Sequence, residues 1–230
     1  EGGDIDVHDG GRITLHGSQQ CSGQGHQTTV TQLRSDRLGY DADLITVKQG
    51  DSNRSPRGTT GGARMTAVLG SATAVAAAKI IDLAKPFAAE VLECNEDDLN
   101  FTDGLFLRQD TNRSIAIEAL VRQLAISGEK HRLNWAQPYE TDGATYPYGC
   151  HIIELEIDRQ TCAVEIASYH VVDDFGLVIN PLTLEGQIHG GIAQGVGQAL
   201  LEHVVNDDAG QLLAGSLMDY DLRRGDHVPG

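Results

Sequence analysis

Positive charge is scarce in this chain: 17 Lys plus Arg stand against 33 Asp plus Glu, a formal net charge of −16 at pH 7. Such a balance repels phosphate backbones and anionic lipid headgroups, which argues against a nucleic-acid or membrane-surface partner. Cysteine is nearly as scarce. Cys21, Cys94, Cys150 and Cys162 lie far apart with no C-x-x-C pair, so local spacing draws neither a zinc ribbon nor a cysteine-ligated cluster. Free, buried thiols in a reducing, cytoplasmic setting are the expectation. No run approaches about 18 consecutive apolar residues, and the acidic start Glu1-Gly2-Gly3-Asp4 has no basic leader region, so neither a membrane span nor a signal peptide is expected. The dinucleotide fingerprint G-x-G-x-x-G, the P-loop and the G-x-S-x-G elbow are missing too. Ordinary nucleotide readings lose ground, and no catalytic nucleophile is assigned.

Glycine, by contrast, is plentiful, at 27 of 230 residues. Asn180 to Leu200 reads as a helix yet carries five glycines, each costing about 1 kcal/mol relative to alanine inside a helix. At 100° per residue Gln187, Gln194 and Gln198 share a narrow arc beside Gly190 and Gly191, and Ile188, Ile192, Val196 and Leu200 form an apolar face opposite. Two readings stand at this point: close packing on another element, or room made for a ligand. The carboxamides at the edge can both donate and accept hydrogen bonds.

Alternation around turn signals predicts hairpins at Ile5–Leu15 about Asp9-Gly10-Gly11, at Leu99–Leu107 about Asp103-Gly104, and at Ile153–Ile166 about 158–162. A helix is expected from about Gln27 to Leu38, stopped by Gly39. Leu44, Ile45 and Val47 read as a short strand. Thr66 to Glu93 should form one long helix or two, kinked or broken near Lys85 by Pro86. Ile117 to Leu124 reads as a short helix, and Leu212-Leu213 as a last strand before the polar stretch 223–230. The fold class is α+β, with mixed sheets of hairpins packed on helices. Two lobes are drawn, 1–130 and 131–230, with a soft boundary between about 126 and 148.

Three Gly-rich segments sit where a strand hands over to a helix, the position at which backbone N–H groups and the helix dipole favour an anion. They are Gly23-Gln24-Gly25-His26, the run Gly58 to Arg64, and Asp174-Phe175-Gly176. Arg64 suits a phosphate or a plain surface ion pair. His26 and His189 lack a second ligand at metal spacing, and His189 is expected to be a hydrogen-bonded structural residue. Asp173 and Asp174 alternate faces on a strand, so one of them should point to solvent.

The blocks Gly23-Gln24-Gly25-His26-Gln27-Thr28, Leu38-Gly39, Gly50-Asp51, Gly58-Thr59 and Gly62-Ala63-Arg64, followed by Tyr148-Gly149, Asp173-Asp174-Phe175-Gly176, Asn180-Pro181 and Glu185 to Gly191, together resemble the molybdopterin-binding large subunit of molybdenum hydroxylases. That superfamily includes xanthine dehydrogenase, aldehyde oxidase and aerobic carbon monoxide dehydrogenase. The resemblance covers nearly the whole chain. It implies that Gly23, Gln24, Gly25 and His26 line the pterin and its phosphates, that Gly62, Ala63, Arg64, Met65 and Thr66 approach the same cofactor at a helix start, and that Gln187 lies on the cofactor side of its helix. The implied group is molybdopterin, in its cytosine dinucleotide form, carrying molybdenum through its dithiolene with no protein ligand to the metal. Ala63 stands where the family usually has serine, and a hydroxyl often found near Met65 is missing.

The resemblance further implies a part of an oxidoreductase that transfers water-derived oxygen to a substrate carbon, with the remainder of the large subunit and iron–sulfur and FAD subunits as partners. The family's catalytic Glu would lie beyond Gly230 and its substrate-side loop before Glu1, so no catalytic residue is assigned and the chain by itself is expected to be inactive. The other reading is a truncated or standalone non-catalytic domain that keeps the fold, as a homodimer without cofactor.

Overall fold

Ile5 and Val7 alternate with acidic residues on one side of a glycine turn, and Ile13 and Leu15 alternate with polar ones on the other. In the computed structural model, which describes residues 3–54, 58–136, 139–141 and 143–222, these become antiparallel strands β1 (Gly3–Val7) and β2 (Ile13–Gly17), with Ile5 opposite Leu15 and Val7 opposite Ile13. The chain then crosses through helix α1 (His26–Leu38) to β3 (Ile45–Gln49), which lies parallel to β2, so the sheet is mixed in the order β1-β2-β3. Helix α1 stops at Gly39, whose φ of +58° is the left-handed region that glycine enters without a Cβ clash. A side chain there would also collide with the backbone of Gly104 at the turn of the next hairpin.

Helix α2 (Met65–Leu92) runs 28 residues without interruption, through Pro86, so the expected break near Lys85 is not made. Ala84, Phe87, Ala88 and Leu92 on either side of Pro86 are buried in one core, and that packing holds the helix across the missing donor. Among the described residues α2 is also the one helix long and apolar enough to cross a membrane by length and composition. Half of its most apolar window is buried within the protein, the pattern of a core helix. Gly70, Ser71 and Thr73 interrupt its apolar run.

Beyond α2, strands β4 (Leu99–Thr102) and β5 (Leu105–Arg108) form the anticipated hairpin. A third strand, β6 (Ser114–Ala116), pairs with β5 and leads straight into α3 (Ile117–Ile126). Three residues are too few to show an alternation, so sequence reading passes over β6. Leu133 is fully buried, and Trp135 exchanges backbone hydrogen bonds of 2.8 and 3.2 Å with Ile5. Residues 131–135 therefore join the first unit, Glu1–Tyr146, and the second runs from Pro147 to Gly230.

The buried stripe of α1 is His26, Thr29, Val30, Arg34 and Leu38. Arg34 has no exposed surface, and its Nε, Nη1 and Nη2 have no hydrogen-bond partner among the described residues.

In the second unit, β7 (Tyr148–Ile157) and β8 (Val164–Asp174) form a long antiparallel hairpin with a bulge at Glu154/Leu155. Asn180 then caps helix α4 (Pro181–Leu200): its side-chain oxygen accepts from the Thr183 N–H at 3.0 Å, and Pro181 occupies the first turn where its missing donor costs nothing. Leu212-Leu213 is no strand; Leu212 makes one isolated bridge, to Asn206. The stretch 223–230 lies outside the described residues. Contrary to expectation the thiols are not buried: Cys21, Cys150 and Cys162 are exposed and Cys94 is half-buried, all four free.

Candidate functional site

Strands β2 and β3 run parallel and end together, with Gly17 paired to Gln49. Each then hands the chain to a glycine-rich loop that enters a helix, α1 from the first loop and α2 from the second. Because the strands are neighbours, the loops leave the sheet side by side, in the crevice at the carboxyl ends of strands where open sheets commonly take ligands. The sequence places Gly23–His26 and Gly58–Thr66 far apart; the crossover through α1 brings their loops together.

The contacts between the loops are specific. Ser18 is buried and lies so close to Gly58 that a Cβ on Gly58 would fall on the serine side chain. The Gln20 N–H donates to Thr60 Oγ1 at 2.8 Å, and the Thr60 hydroxyl donates back to the Gln20 carbonyl at 2.9 Å. At the other end of the second loop, Gly50 (φ +75°) passes under the Gln20 side chain, 3.3 Å from where its own Cβ would sit.

His26, the first residue of α1, is buried, and burial lowers its pKa, which keeps the imidazole neutral. Its Nδ1 lies 3.4 Å from Gln49 Nε2, and the buried Gln49 Oε1 has no partner among the described residues. Gly23 opens onto free space, as do Gly61 and Gly62 on the facing loop. Ala63 holds a left-handed φ of +52°, uncommon for a residue with a Cβ. Arg64 is half-buried, Met65 buried and Thr66 exposed at the start of α2.

The first loop carries a local positive potential that Cys21 reports. Partial burial would push its thiol up, but the backbone N–H groups of Gly23, His26, Gly25 and Gln24 outweigh this and hold it below its ordinary value. Alkylation of Cys21 by iodoacetamide, followed by mass spectrometry across pH, should therefore show a lower midpoint in the folded protein than in the same chain unfolded in urea. A midpoint at or above that of the unfolded chain would mean the N–H groups do not converge on the sulfur. Nothing in the spacing of Cys21, Gln20, Thr60 or Gln49 marks them beforehand; the one available signal is that Gln20-Cys21 immediately precede the glycine run.

In the second unit Gln187 is exposed on α4, and Ile188, Ile192 and Val196 border the space against the hairpin as the apolar stripe. A Cβ added at Gly186, Gly190, Gly191 or Gly195 would meet nothing within 4 Å. Close packing among the described residues of the second unit therefore does not account for those glycines. Between β8 and α4 lies an open cleft of about 650 Å³ bordered by Tyr169, Asp173, Phe175, Ile188 and His189. His189 is exposed and makes no hydrogen bond among the described residues, contrary to the structural role expected for it. Asp173 accepts from His151 Nε2 at 3.2 Å, whereas exposed Asp174 accepts from the Tyr148 hydroxyl at 2.9 Å and the Gly176 N–H at 2.8 Å. No group of three or more metal-ligating side chains occurs among the described residues.

A family profile described as the molybdopterin cofactor-binding domain matches residues 1–229. The chain is 36% identical over 226 residues to the carbon monoxide dehydrogenase large chain of Hydrogenophaga pseudoflava, covering 95% of this chain and 28% of that protein. Among solved structures it resembles the Cu,Mo-CO dehydrogenase in its carbon monoxide reduced state, with a TM-score of 0.87 and 30% identity over 100% of this chain and 29% of that one. It likewise resembles quinoline 2-oxidoreductase from Pseudomonas putida 86, with a TM-score of 0.85 and 31% identity over 100% of this chain and 30% of that one. The chain thus spans under a third of the length of the relatives it matches.

Proposed function

Because the chain belongs to the molybdopterin cofactor-binding domain family of the molybdenum hydroxylases, we propose that its two interlocked glycine loops form one wall of a molybdopterin cytosine dinucleotide site. The enzyme in question would be a cytoplasmic one that oxidises a substrate carbon with oxygen from water. The observation that carries this reading is the joining of two helix-initiating loops at the ends of β2 and β3 through Gln20, Thr60, Ser18 and Gly58.

The residues present suit the group. The N–H groups of Gly23, Gln24, Gly25 and His26, already turned toward the Cys21 sulfur, are donors of the kind that pyrophosphate oxygens need. The orphaned Gln49 Oε1 is an acceptor for the N–H edge of a pterin. Glycine at 23, 61 and 62 leaves the backbone bare for close approach. When bound, the cofactor supplies a two-electron redox centre. This chain's part is to grip and orient it through Gly23 to His26 and Gly62 to Thr66 of the first unit. His26, kept neutral by burial, adds a hydrogen bond without adding charge. No proton-transfer group is assigned, and the rest of a large subunit together with iron–sulfur and FAD subunits would complete the electron path.

Acid hydrolysis of the purified protein, produced in a host that makes molybdenum cofactors, should release cytidine monophosphate in proportion to molybdenum. Release of a different nucleotide would overturn the cytosine form. Finding neither nucleotide nor molybdenum would favour a domain that keeps the fold alone.

A further inference from the structure

Two loops of this length, rich in glycine, lose considerable conformational entropy when fixed, and a cradle built from both requires that they be fixed relative to each other. The sheet sets where they start, at Gly17 and Gln49, and the helices set where they end. Between those points Ser18 of the first loop lies against Gly58, and Gln20 is the residue whose backbone the second loop hydrogen-bonds. Gly50 lies under the Gln20 side chain, and Thr60 takes both backbone groups of Gln20 with one hydroxyl. The threonine thus substitutes for a neighbouring strand residue, accepting from the N–H and donating to the C=O as a peptide unit would. Thr60 is exposed and one residue before Gly61, while Gln20 is three before Gly23. The latch therefore sits directly upstream of the bare backbone on both sides.

We propose that Thr60 is a positioning residue that couples the two glycine loops into a single preorganised cradle. The inference rests on the cofactor reading above and adds a residue outside the set the family resemblance assigns. Its hydroxyl need not touch the ligand; its effect is to hold the loop that carries Gly23 to His26 against the loop that carries Gly61 to Ala63.

The test is amide hydrogen exchange on the parent, Thr60→Val and Thr60→Ser proteins. Valine replaces the hydroxyl with a methyl of similar size at an exposed position, so the fold should be retained, which a melting curve checks. Loss of the latch should accelerate exchange at the Gln20 amide by about tenfold or more. Exchange at Gly23 to Gly25 and at Gly61 to Ala63 should rise with it, and serine should restore both. A purely local hydrogen bond would release Gln20 alone, and that result, or unchanged exchange everywhere, overturns the proposal. Molybdenum measured in the same samples separates the two claims. A parent without molybdenum counts against the cofactor reading and leaves exchange to decide the latch; a loaded parent with uncoupled loops counts against the latch alone.

Discussion

Replacing Arg34 with methionine should stabilise the protein by about 2–4 kcal/mol at pH 7, raising the melting temperature by several degrees. Arg34 lies in the middle of the buried stripe of α1, with no exposed surface and no hydrogen-bond partner for any guanidinium nitrogen among the described residues. Burial pulls its pKa down to about 9, so at neutral pH it remains a cation, with no counter-charge among the described residues. A buried charge left unpaired carries its desolvation penalty uncompensated, whereas methionine keeps the length of the side chain and fills the space with apolar atoms.

The pH dependence carries a definite sign. A native pKa well below the ordinary arginine value means that the unfolded chain holds a proton which the native protein gives up as pH rises through about 9. Stability of the parent should therefore climb with pH from about 9, and the full penalty stands at pH 7. Tyr40 acts in the opposite sense, since burial raises its pKa and favours the protonated native form, costing stability above its ordinary value of 10. The window to compare is thus about pH 9–10, in which the parent should gain up to about 1.4 kcal/mol per unit more than Arg34→Met does. Urea unfolding at pH 7 and across that window measures both. Equal or lower stability of the variant at pH 7 would mean that the guanidinium has a partner after all.

Arg34 also shows where reading the sequence runs out. Charged residues sit on the outer face of most helices, and the inner stripe of α1 carries His26, Thr29 and Arg34 among its members, so periodicity gives a weak and misleading signal there. The hairpin turns at Gly10-Gly11 and Gly104, the stop at Gly39 and the start at Asn180-Pro181 were legible because each depends on local backbone chemistry. The parallel pairing of β3 with β2 was not, since it depends on α1 folding back across the sheet, and continuity of α2 through Pro86 depends on a core formed by distant residues. The same division holds for the candidate site. Glycine runs before helices are visible in the sequence; the Gln20–Thr60 latch and the Gln49–His26 contact exist only once two strands have paired. In α4 the cost of five glycines is readable in advance, and the structure adds that no described residue of the second unit fills the space where a Cβ would stand on four of them.

The second large effect concerns the crevice itself. Gly61 is exposed, and a Cβ built there meets nothing within 4 Å. Its φ is not in the left-handed region either. Valine at this position therefore adds three carbon atoms to open space with little expected change in stability, within about 0.5 kcal/mol. If that space belongs to the cofactor, the same three atoms occupy the approach between Gly23 and the start of α2, and a bound group must move or leave. Gly215 offers a matched control: it too is exposed with open space and no left-handed φ, but it lies in the second unit, far along the chain from either loop. The deciding measurement is molybdenum per protein for the parent, Gly61→Val and Gly215→Val, all purified from one cofactor-producing host and matched by melting temperature. The account predicts a loaded parent, a loaded Gly215→Val and at least a tenfold loss in Gly61→Val, equivalent to about 1.4 kcal/mol of binding. Equal molybdenum in Gly61→Val and the parent would contradict it.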